Sequence, residues 1–93
     1  MKTNEILSNE QIKNLQEVGV TIADGQQISF SDVMDLILSK GYAVDIERCD
    51  EGVLAKAGHS WHISDDVTGA VHGLLCLLIK GGKINPCEIE IKS

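Results

Sequence analysis

Aromatic side chains are nearly missing from this chain: Phe30, Tyr42 and Trp61 are the whole set among 93 residues. Any core must therefore be aliphatic, filled by Leu, Ile, Val and Ala. Proline occurs once, at Pro86, and no Ser/Gly-rich or charged tract interrupts the chain. With no linker and no internal repeat, residues 1–93 are expected to form one domain. A chain of this length buries only about 60–65% of its unfolded surface, which allows one modest core.

Basic residues are also scarce. Eight Lys and Arg stand against fourteen Asp and Glu, for a net charge of −6. Scattered as they are, they cannot neutralise a row of phosphates, which excludes sequence-independent nucleic-acid binding. An anionic membrane surface is excluded on the same ground. Long hydrophobic runs are absent too. The longest, GLLCLLI at 73–79, is far too short to cross a bilayer. No apolar stretch of signal length follows the opening MKTNEIL, so no export signal is expected. Cys49, Cys76 and Cys87 are odd in number and lack metal-type spacing; they read as reduced thiols in a cytoplasm. Neither a cofactor nor a bound metal is implied.

What is present is helix and strand grammar. Ser8 with Gln11 makes a capping box, Leu7 and Ile12 supply a staple, and a helix is expected from about Asn9 to Val18, stopped by Gly19. Asp24-Gly25 between short arms predicts a tight hairpin. The same grammar returns at Ser29 and Asp32, with Phe30, Val33, Met34, Ile37 and Leu38 at helical spacing and Gly41 as the stop. YAVDIERC then alternates, with Tyr42, Val44 and Ile46 on one side. The chain turns at Asp50–Gly52 and runs back through residues 53–63, making a central hairpin. A last helix opens at Ser64-Asp65-Asp66, side chains suited to free helix N–H groups, and runs to Gly81. The KGGK at 80–83 follows a helix, so it reads as a stop and not as a phosphate loop. Cys87, Ile89 and Ile91 alternate with Glu88, Glu90 and Lys92, which predicts an edge strand started by Pro86. The expected fold is α+β: a small, mainly antiparallel sheet of central hairpin plus C-terminal edge strand, with about three helices packed on it.

The stretch GHSWHIS, 58–64, concentrates side chains able to do chemistry. If 53–63 is one strand, His59, Trp61 and Ile63 share the apolar face with Val53, Ala55 and Ala57, while His62 points the other way. His59 and His62 then cannot hold one metal, unless Gly58 marks a bulge. A small pocket floored by Trp61, with His59 and His62 as candidate ligand-binding groups, is the alternative functional reading.

The last helix carries the more informative pattern. Val67, Ala70, Val71, Leu74, Leu75 and Leu78 make a core stripe, yet the reverse face holds Gly69, Gly73, Cys76 and Lys80 beside Leu77 and Ile79. Each mid-helix glycine costs about 1 kcal/mol relative to alanine. A helix with two uncharged faces is covered on both. The expected cover is close approach of another main chain, either the N-terminal helix or a second subunit. Gly69, Gly73, Cys76, Leu77 and Lys80 are thus the candidate interface. His72 and Cys76, one turn apart, are only two ligands, too few for a zinc site.

FSDVMDLILSKGYAVDIE and SWHISDDVTGAVHGLLCLLI make the region from about Ile28 to Ile84 resemble the phage α-β-α sandwich family. That resemblance implies a phage or mobile-element setting and assigns no catalytic residue. No nucleophile, base and orienting group can be assembled from the sequence. The expectation is a non-enzymatic cytoplasmic interaction protein, self-associating as a homo-oligomer or engaging a protein partner. Small-ligand or metal-ion binding around His59 and Trp61 is the alternative.

Overall fold

A computed structural model describes residues 6–23 and 25–89. Three helices, α1 (Asn9–Glu17), α2 (Phe30–Ser39) and α3 (Val67–Lys80), accompany three strands, β1 (Asp45–Cys49), β2 (Gly52–Ala57) and β3 (Ser60–Ser64). The strands form one antiparallel sheet in the order β1-β2-β3. The architecture is small α+β, as expected.

Helix starts follow the capping grammar. Ser8 N–H donates to Gln11 Oε1 (2.9 Å) while Gln11 N–H donates to Ser8 Oγ (3.2 Å). Ser29 and Asp32 exchange the same pair of bonds at α2. Asp66 caps α3, its Oδ1 accepting from Gly69 N–H at 2.7 Å. These side chains satisfy donors that have no partner in the first turn.

The central helix is α3. Val71, Leu74, Leu75 and Leu78 are essentially inaccessible to solvent. One side of α3 lies on β2 and β3, and α2 and α1 pack against it elsewhere. The molecule measures 35 × 29 × 19 Å. Of the three helices, α3 makes the main contact with the strands, and α1 and α2 pack on α3. Leu15 from α1 and Val33 and Ile37 from α2 close the core from the helix side.

Three expectations about strands change. Residues 20–23 and 25–28 form no strand; Asp24 itself lies outside the described residues. The N–H groups of Gly19 and Val20 are held at the end of α1, by Gln16 O and Leu15 O, and Ile28 O accepts from Leu7 N–H instead. The expected strand over 53–63 is two strands. Ala57 pairs with Ser60, so Gly58 and His59 are a two-residue turn, with Gly58 at φ +59°. Glycine first in a two-residue loop favours a hairpin turn of type II′. Finally, no C-terminal edge strand forms up to Ile89: Pro86–Glu88 is a 3-10 turn, and residues 90–93 lie outside the described residues. Asn85 Oδ1 takes the Cys87 N–H (3.0 Å) that a strand would have offered to a neighbour.

Candidate functional site

The Gly58-His59 turn inverts the face of every side chain after it. A turn of two residues puts Ala57 and Ser60 opposite each other, so the even-numbered residues of β3 join Val53, Ala55 and Ala57 on the α3 side. His62 therefore faces α3. Trp61, paired with Lys56, and Ile63, paired with Leu54, face solvent on the sheet's uncovered side. Trp61 is 57% exposed, and His59 stands exposed at the turn. The expected pocket of His59, Trp61 and His62 is thus dispersed over a turn tip and two opposite faces.

The two glycines of α3 make room for side chains and not for another main chain, and the cover is β3 of the same molecule, neither the N-terminal helix nor a second subunit. A Cβ on Gly73 would overlap the His62 imidazole, and one on Gly69 would overlap the Ser64 hydroxyl. Both glycines are buried there. Of the candidate interface residues, Gly69 and Gly73 are closed inside the fold, Cys76 is half-buried, and Leu77 and Lys80 remain exposed.

Between β3 and α1 lies an open groove of about 950 Å³. Its floor is one side of α3, from Gly69 through His72, Gly73 and Cys76 to Lys80. One wall is His62 and Ser64; the other is Gln11, Asn14, Glu17 and Val18. The α1 wall could not be read from residues 58–73 alone. Its only signal was the uncharged second face of α3, which demanded a cover.

His72 joins the floor to the α1 wall: its Nε2 lies 2.9 Å from Gln11 O. A carbonyl only accepts, so Nε2 carries the proton. Burial pulls the His72 pKa below its ordinary 6.5; the Gln11 carbonyl opposes that and the nearby His62 adds to it. Cys76 Sγ sits 3.7 Å from the same Nε2. Burial pushes that thiol up from 9.0, against the pull of Lys80. A nitrogen already donating to a carbonyl cannot take the thiol's proton, so the pair is a packed contact and not a nucleophile with its base. Among the described residues, no three His, Cys, Asp or Glu side chains converge to hold a metal ion.

The depressed histidine has a measurable consequence. Between its folded and unfolded pKa values the unfolded chain binds more protons, so stability rises with pH there. The His72 contribution is complete above about pH 6.5 and is lost as pH falls through the folded value. Urea unfolding midpoints are expected to hold from pH 8 to 7 and fall from 6.5 towards 5. A His72→Gln chain, which has no imidazole to protonate, should show a flatter profile over that range.

No family model matches the chain, and no curated protein or solved structure is detectably similar to it. Among the described residues, no helix is long and apolar enough to cross a membrane.

Proposed function

We propose that the protein is a small non-enzymatic interaction protein that self-associates, with the solvent face of the three-stranded sheet as its contact surface. One observation carries this reading: the sole tryptophan is 57% exposed on that face, with half-buried Leu54 and Ile63 beside it. An aromatic side chain set in an aliphatic patch is the type that dominates contact energies between proteins. Lys56 shares the face with Asp45 and Glu47, so the patch holds both signs of charge and can complement its own copy. The resemblance of residues 28–84 to the phage α-β-α sandwich family supports a phage or mobile-element setting. A cytoplasmic location is part of the same proposal and rests on the unpaired cysteines.

Sedimentation at high micromolar concentration tests the reading. The wild-type chain is expected at twice its 10.1 kDa mass, and a Trp61→Ser chain at 10.1 kDa. Added salt should strengthen the association, because it screens the repulsion between two chains of net charge −6. A wild-type chain that stays at 10.1 kDa overturns it.

The groove favours a second reading, small-ligand binding. It gathers His62, Ser64 and Asp65 around one concavity, so that reading moves there from His59 and Trp61.

A further inference from the structure

The sheet has two edges, and they differ. Pairing alternates along antiparallel strands: Ser60, His62 and Ser64 bond to β2, so the N–H and C=O groups of Trp61 and Ile63 point away from it. Among the described residues nothing pairs with those groups. At the other edge β1 offers the backbone of Ile46 and Arg48, but there Asp45, Glu47 and Arg48 crowd the strand with charge. Charged side chains are a usual guard against strand addition. The β3 edge, Ser60-Trp61-His62-Ile63-Ser64, carries no carboxylate, Lys or Arg.

The groove lies along this unguarded edge, with α1 as its far wall. Its floor from Gly69 to Lys80 covers about three helical turns, roughly 16 Å at 1.5 Å per residue. The five residues of β3 extend about 17 Å at 3.4 Å each. The lengths match, and α1 stands across the groove from the β3 edge. Charge selects what enters. Glu10, Glu17 and Asp65 line the groove against the single Lys80.

We propose that the β3 edge accepts a fourth strand: an extended, basic segment of a partner protein, lying in the groove beside α1. Main-chain bonds to Trp61 and Ile63 hold it. Its alternate side chains meet the groove carboxylates on one side and extend the apolar patch of Trp61 and Ile63 on the other. The site is an edge and not the sheet face used for self-association, so the two can fail separately.

A fluorescein-labelled peptide of alternating Lys and Val, seven residues long, is the probe, read by anisotropy. Saturable binding is expected. N-methylation of the amides along one peptide edge should weaken it roughly tenfold or more, through loss of two or more main-chain hydrogen bonds. A Glu/Val peptide should not bind. Glu17→Lys should weaken the Lys/Val peptide without disturbing the fold, since Glu17 is exposed. Ile63→Pro, checked by circular dichroism, should abolish binding by removing one free-edge donor. Glu47→Gln, an exposed change on the solvent face of the sheet at β1 and away from the groove, should keep it. Failure of the Lys/Val peptide to bind overturns the proposal. So does equal binding of the N-methylated or acidic peptide, or loss of binding in Glu47→Gln, which would assign the contact to the sheet face.

Discussion

Leu75→Ala is expected to destabilise the protein by about 2–5 kcal/mol, whereas Leu77→Ala, two residues on, should change stability by about 0.5 kcal/mol or less. Leu75 is fully buried in the central helix, and its truncation leaves a cavity in the core. Leu77 is 40% exposed at the lip of the groove. Domain stability runs near 0.05–0.15 kcal/mol per residue, so a loss of that size takes a large share of what a chain this short has. Urea denaturation of the two variants gives the comparison directly. Equal losses would mean that α3 is not enclosed as described.

The helices were legible because each is written locally. Ser8 with Gln11, Ser29 with Asp32, and Asp66 ahead of Val67 all cap as their spacing requires. The apolar stripes name Val33 and Ile37 of α2 and five of the ten buried residues of α3, while Leu38, placed in the α2 stripe, is exposed and Leu36 is buried. Strands depend on partners far along the chain, and there local pattern failed. VLAKAGHSWHI alternates well enough to be one strand, because Gly58-His59 adds an even number of residues and leaves the alternation unbroken. What alternation cannot show is that the chain reverses there, so the apolar residues of β2 and β3 lie on opposite faces of one sheet. CEIEI alternates as cleanly, yet Asn85-Pro86 starts a turn that uses the first donor.

The site was legible by halves for the same reason. Two mid-helix glycines announced that something presses on α3, and the structure supplies β3 as that neighbour. Nothing local could tell that His62 and Ser64 are the groups pressing, because their facing depends on the reversal at Gly58. The groove's α1 wall needs contacts between residues 11 and 72, which no local window contains.

That contact between β3 and α3 makes Gly73 a position where a single methyl group should matter. Alanine is the better helix former by about 1 kcal/mol, so on propensity alone Gly73→Ala would stabilise. The added Cβ would overlap the His62 ring, however, and the imidazole would have to leave its seat on the helix. Overpacking of this kind costs about 1–3 kcal/mol, so a net loss of up to about 2 kcal/mol is expected. The sign should reverse when the ring is absent. In a His62→Ala chain the same Gly73→Ala change is expected to stabilise by up to about 1 kcal/mol, the propensity gain alone. A double-mutant cycle from urea unfolding reads the difference as a coupling between the two positions. Additive effects would show that the imidazole does not rest on Gly73. β3 would then be held to α3 by Ser64 over Gly69, and the wall of the groove would lie elsewhere.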